Sequence, residues 1–218
     1  LFNFFILRVD NNLYIKDPFC TLYLLLYAFF APIAKNNLFL FFYDFFSRIK
    51  NNGLKIALIR VFTENTGIPL FKYSVVCKNI AIGSSPSFLG LFLLKKKGYK
   101  NILNLRSEFN YKSNVYDFIN IKNIPVKEFT SPTFKDLDNA SEFINSAILK
   151  NENIYIHCRE GISRAPCFLA AYFVKYKNFT ARDALIYIKT KRSFIKLLPN
   201  QINTLKNYER FLRNEFNN

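Results

Sequence analysis

Residues 154–166 read IYIHCREGISRAP, and this stretch decides the fold. Ile154, Tyr155 and Ile156 are apolar and β-favouring, as a short central strand requires. From Pro166 to Lys177 the chain is mostly apolar, which predicts a buried helix. Between them the chain must turn tightly through His157-Cys-Arg-Glu-Gly-Ile-Ser-Arg164. A loop wrapped at a helix N-terminus aims several backbone N–H groups at one point and makes an anion site. A cysteine in such surroundings favours the thiolate. Arg164 presents a planar fork that matches phosphate oxygens, a fit that lysine does not copy. Gly161 lets the backbone curl closely around the anion.

The flanking segments alternate strand and helix. Val75–Ile82 predicts a hairpin about Lys78-Asn79, and Pro86–Lys97 a helix stopped by Gly98. Asn101–Leu105 and Ile119–Val126 predict strands. Phe134–Lys150 carries Leu137, Ala140, Phe143, Ile144, Ala147 and Ile148 at helical spacing. Thr180 opens a further helix, with Asp183 as a capping partner. Gln201–Asn214 is amphipathic and ends the series. This order predicts an α/β domain with a mostly parallel central sheet flanked by helices.

The chain has 218 residues, half of them apolar, enough for one domain with a substantial core. Its net charge of +16 implies an anionic partner: nucleic acid, a membrane surface or a phosphorylated substrate. Beyond charge, no motif supports nucleic-acid binding. His157 is the single histidine, which removes most metal sites and any nucleophile–histidine pair without it. Cys20, Cys77, Cys158 and Cys167 form no C-x-x-C pair and are too few for a disulfide scaffold. A reducing compartment follows. Cys167 reads as a core residue, and a disulfide to Cys77 or Cys158 is the other reading.

The charge is uneven. Residues 1–70 hold 7 basic and 4 acidic residues, and residues 71–218 hold 24 and 11. The first segment is also rich in Phe. From Pro18 to Ala34 run 17 uncharged residues, PFCTLYLLLYAFFAPIA. At 1.5 Å per residue they reach roughly 25 Å, short of a hydrocarbon core of about 30 Å. A short membrane anchor, an interfacial hairpin and a hydrophobic flap are all open readings, as is an upstream extension. The sequence contains no Met and so does not start at an initiator residue. The expected organisation is an apolar, membrane-associated segment over 1–69 and a catalytic domain over 70–218. If the run spans a membrane, the basic residues beyond it place that domain on the cytoplasmic side, anchored through the N-terminal segment.

The loop resembles the H-C-x5-R signature of the Cys-based protein tyrosine and dual-specificity phosphatases. The resemblance extends to Ile80-Ala-Ile-Gly-Ser-Ser-Pro86 and to Lys95-Lys-Lys-Gly-Tyr-Lys-Asn-Ile-Leu-Asn-Leu105. It continues through Ile124-Pro-Val-Lys-Glu-Phe-Thr-Ser-Pro132, Lys191-Arg-Ser-Phe-Ile195 and Pro199-Asn200, about residues 70–216 in all. It implies phosphomonoester hydrolysis through a Cys158 phosphocysteine. Arg164 and the loop residues Arg159, Glu160, Gly161, Ile162 and Ser163 would hold the phosphoryl oxygens. His157 is implied as structural support, and neither a metal nor another cofactor is implied. A monomer is expected.

Two departures stand out. The family's general acid is an Asp about thirty residues before the cysteine, where this chain has Glu128. Its extra methylene moves the carboxyl by about 1.5 Å. Asp136 and Asp138 are the alternatives, at the start of a helix. Ala165 stands where many relatives carry a hydroxyl that donates to the departing thiolate. The pattern around Glu128 and the apolar N-terminal stretch resemble the branch containing phosphatidylglycerophosphate phosphatases. The loop R-E-G-I-S-R is closer to protein-directed members. A phosphoprotein substrate is therefore expected first. A phospholipid at an anionic membrane surface is the alternative, and a weakly active phosphate-binding pseudophosphatase is the third reading.

Overall fold

The computed structural model describes residues 73–111 and 119–216, together with a few isolated positions between 46 and 61. The boundary expected at residue 70, and the apolar run 18–34, lie outside the described residues.

Strand β1 (Ser74–Cys77) turns through Lys78-Asn79 into β2 (Ile80–Gly83). Helix α1 (Phe88–Lys96) leads to β3 (Tyr99–Arg106), and β4 (Asn120–Val126) follows. Then come α2 (Phe134–Leu149), β5 (Asn153–His157), α3 (Arg164–Lys177), α4 (Ala181–Lys191) and α5 (Pro199–Phe216). The five strands form one sheet in the order β1-β2-β5-β3-β4. Only β1 is antiparallel to its neighbour. This is the α/β architecture expected from the sequence.

The inner strands are buried on both faces, as parallel strands under two helical layers must be. Ile80, Ile82, Leu103, Leu105, Ile154 and Ile156 point into a core shared with Leu137, Ile144, Phe168 and Leu205 of the helices. The alternate residues Ala81, Ile102 and Tyr155 face Leu91 and Leu94 of α1. Registers Gly83↔His157 and Asn104↔His157 bring three strand ends to the same edge. Ligand sites in open parallel sheets lie beyond such carboxyl ends.

Helix α3 is buried along nearly its whole length, from Arg164 to Val174. Its N-terminus begins where the loop from β5 ends. Local chemistry accounts for the other helix starts. Ser87 caps α1 by accepting from the Gly90 amide, so the helix starts two residues after Pro86. Thr133 and Asp136 form a full capping box on α2. At α4 the Thr180 hydroxyl accepts from the Asp183 amide and donates to its carboxylate.

The expectation of membrane anchoring, and the cytoplasm-facing placement built on it, needs correction. Among the described residues no helix is long and apolar enough to cross a membrane. The apolar helix α3 has 14 residues, about 21 Å at the helical rise. The longest helix among the described residues, α5, carries Lys206, Glu209, Arg210 and Arg213 within its 18 residues.

Candidate active site

The loop between β5 and α3 is held from outside by its carbonyls. The Arg159 carbonyl accepts from the Ser85 amide at 3.1 Å, and the Ile162 carbonyl from the Lys196 amide at 2.9 Å. Arg192 donates to the Gly161 carbonyl from Nε at 2.7 Å and to the Glu160 carbonyl from Nη2 at 3.0 Å. The Ser163 carbonyl accepts from the Cys167 amide within α3 at 3.1 Å. In a trans peptide the C=O and the next N–H point opposite ways. Outward carbonyls at 159–163 therefore turn the amides of 160–164 inward. One is already engaged: the Gly161 N–H donates to Cys158 Sγ at 3.2 Å.

Gly161 has φ +68°, and a Cβ there would run into the backbone of Gly83. The close approach of these two glycines lets the loop settle against the end of β2. Arg159 lies at the rim with its side chain 60% exposed. Glu160, Ile162 and Ser163 are half-buried.

Arg164 is buried, and one side of its guanidinium is fully occupied. Nη1 donates to the Val126 carbonyl at 2.7 Å and to Glu108 Oε2 at 3.0 Å. Nη2 donates to Glu108 Oε1 at 2.9 Å. The carboxylate takes the end-on face of the fork, which leaves the side-on face of Nε and Nη2 for an oxyanion. The hydrogen bond from Arg164 is the main reason the Glu108 carboxyl is held down at about 2. Arg106 supports the same carboxylate at 3.0 Å and also donates to Ser85 Oγ at 2.9 Å.

His157 is fully buried, and its ring spans the Tyr111 hydroxyl at Nε2, 3.0 Å, and the Cys158 carbonyl at Nδ1, 3.3 Å. The Tyr111 hydroxyl also donates to the Pro86 carbonyl at 3.2 Å, so the ring links the segment after β2 to the Cys158 backbone. Burial holds the imidazole neutral, with its pKa lowered to about 3. The ring therefore braces the backbone of the cysteine.

Glu128 sits on the loop after β4, facing the same mouth. Its Oε1 lies 3.9 Å from Arg164 Nη2, and its Oε2 3.5 Å from Arg159 Nη1. Its neighbour Phe129 is 73% exposed and has φ +65°. Asp136 and Asp138 are occupied elsewhere. Asp136 accepts from the Thr133 amide and hydroxyl at 2.9 and 2.7 Å. Asp138 accepts from Lys175 at 2.8 Å and from the Tyr208 hydroxyl.

Local pattern alone does not mark Glu108, Tyr111, Arg192 or Gln201. A topological signal was within reach for Glu108: a charged residue just past the end of a parallel strand belongs to the same edge as the cysteine loop. Arg192 comes from the far end of α4 and had no such signal. Cys77, Cys158 and Cys167 are all free, which disposes of the conceivable disulfide. Burial pushes the Cys167 thiol up to about 12. Among the described residues no group of three His, Cys, Asp or Glu side chains gathers to hold a metal. Ala165 is wholly buried.

Residues 80–211 match the family model for the dual specificity phosphatase catalytic domain. The chain is 28% identical over 138 residues to Protein phosphatase Slingshot of Drosophila melanogaster and 30% over 142 residues to human Dual specificity protein phosphatase 9. Those matches cover 63% and 64% of this chain, but only 13% and 37% of the relatives' lengths. Among solved structures, PTPMT1 superposes with a TM-score of 0.61 at 19% identity, covering 67% of this chain and 99% of that one. Tk-PTP in its active form gives 0.60 at 18%, covering 65% and 99%. At those identities the likeness is one of fold.

Proposed function

The chain belongs to the family of dual specificity phosphatase catalytic domains, a family of Cys-dependent phosphatases, and from that premise we propose that it hydrolyses phosphoprotein monoesters through a phosphocysteine at Cys158. The observation that carries this reading is the cradle itself. The Gly161 amide reaches Cys158 Sγ at 3.2 Å, and the bound carbonyls of 159–163 leave the neighbouring amides for an anion beside it.

In the first step the Cys158 thiolate attacks phosphorus in line. The S–P bond forms and the ester P–O bond breaks. The leaving oxygen takes the proton of the Glu128 carboxyl. In the second step the Glu128 carboxylate takes a proton from water, whose oxygen attacks phosphorus. The S–P bond breaks, releasing phosphate and the thiolate. The amides and Arg164 hold the equatorial oxygens throughout, at the point where charge develops. With Ala165 in place of a hydroxyl residue, the Gly161 amide supports the departing thiolate.

The printed names of the relatives, a protein phosphatase and dual specificity protein phosphatases, support a phosphoprotein substrate. A phospholipid is the second reading, and one observation favours it: the PTPMT1 fold is also known in complex with PI(5)P. The full chain should hydrolyse an aryl phosphate and a phosphotyrosyl peptide, and Cys158→Ser should abolish both. Absence of turnover between pH 5 and 8 overturns the enzyme reading in favour of a phosphate-binding module. A higher kcat/KM on phosphatidylglycerophosphate in micelles than on the peptide overturns the substrate assignment.

A further inference from the structure

Gln201, in the first turn of α5, is wholly buried, yet it is polar and both ends of its amide are used. Oε1 accepts from Ser163 Oγ at 2.6 Å and from the Leu198 amide at 3.2 Å. Nε2 donates to the Thr130 carbonyl at 3.1 Å. The amide orientation is fixed by one-way partners. The Leu198 N–H can only donate, and the Thr130 carbonyl can only accept.

These partners lie on the two loops of the site. Ser163 precedes Arg164 and is the N-cap residue of α3, but its side chain makes no cap bond. Its hydroxyl is turned to Gln201 instead. Thr130 is two residues beyond Glu128. Between them Phe129 occupies the left-handed region, which a residue with a side chain disfavours. A loop in that conformation needs outside support. Asn200 gives some of it, donating to the Phe129 carbonyl at 3.3 Å. Gln201 holds the loop at Thr130, beside the turn bonds from Thr130 to Lys127 and the rim contact of Arg159 with Glu128, and of the two amides it alone also binds the phosphate loop through a side-chain bond.

We infer that Gln201 is a positioning residue, a buried amide that sets the distance between the acid-bearing loop and the phosphate loop. The inference rests on the reading of Glu128 as general acid. Protonation of the leaving oxygen matters most when that oxygen is strongly basic. A displaced acid therefore costs little with a nitrophenolate leaving group and much with a poorly acidic phenol. A merely structural residue would lower both alike.

The test is kcat/KM of the full chain, which reports the first chemical step, over a series of phenyl phosphates with increasingly basic leaving groups. Gln201→Met should lose about tenfold or more on the most basic leaving group and less than about threefold on 4-nitrophenyl phosphate, in line with a displacement near 1 Å. Glu128→Gln should steepen the dependence at least as much, and adding Gln201→Met to it should produce no further steepening. Gln201→Asn keeps the amide but retracts it by about 1.5 Å. It should reproduce the steepening, and it serves if the Met variant fails to fold. If Glu128→Gln steepens the series and both Gln201 variants shift it uniformly or not at all, the Gln201 inference is overturned alone. If Glu128→Gln leaves the slope unchanged, the assignment of Glu128 falls and the inference falls with it.

Discussion

The two loops that meet over Cys158 are secured in opposite ways. Residues 158–164 form a loop whose carbonyls from 159 to 163 are all bound from outside and whose arginine is buried. The loop carrying Glu128 is exposed, with Phe129 left in solvent, and it hangs on side-chain amides of Asn200 and Gln201. The difference follows from what each must do. Amides that bind a phosphoryl group act through their aim, and aim is lost with any movement. On the proposed mechanism the acid meets leaving oxygens attached to varied groups, and its support is a tether at the edge of the cleft.

Changes to the locked loop should be the most damaging. Arg164→Lys replaces a fork by a point charge and should lower kcat/KM on 4-nitrophenyl phosphate by about 10³-fold. A loss under tenfold would break the comparison on its rigid side. Gly161→Ala should follow, with a loss of about 10²-fold. Its φ of +68° and the backbone of Gly83 leave no room for a methyl group. Inhibition by inorganic phosphate should weaken in parallel, because the amides would be re-aimed.

A pH effect comes next. His157 is held near 3 in the folded chain, below its ordinary 6.5, by burial. The unfolded chain therefore takes up the proton first. This contribution to stability is complete above pH 6.5 and is lost as pH falls from there towards 3, at about 1.4 kcal/mol per pH unit. Urea unfolding at pH 7.5 and 5.5 should show the loss, and His157→Asn should flatten it. An unchanged slope in that variant would remove His157 from the account.

The smallest effect should fall on the tethered loop. Phe129→Gly relieves a left-handed side chain but adds freedom to the unfolded state. The two offset, and unfolding free energy should move by less than about 0.5 kcal/mol. A shift above about 2 kcal/mol would mean that this loop is as firmly built as the other, and the contrast would fail.

Much of this molecule was legible from local pattern. Every helix and strand expected over 75–214 is present, with ends displaced by a few residues where a cap decides the start, as Ser87 does for α1. The stretch 154–166 marked the strand, the cysteine–arginine loop and the helix because the three must follow one another within about a dozen residues. The weighing of Glu128 against Asp136 and Asp138 drew on resemblance. The structure adds a physical ground: both aspartates are spent on the helix N-terminus and on Lys175 and Tyr208. The expected membrane anchoring rested on the apolar run 18–34, outside the described residues, and among the described residues no helix is long and apolar enough to cross a membrane.

By itself the sequence determined the elements and the cysteine–arginine loop, because both are encoded by hydrogen bonds and apolar periodicity among near neighbours. Only the tertiary structure decided what surrounds that loop. Glu108 stands 56 residues before Arg164, Arg192 31 residues after Gly161, and Gln201 71 residues after Thr130. Their meeting depends on the strand order and on helices packing across the sheet. Those are settled by burial of the whole core, which no short window of sequence contains.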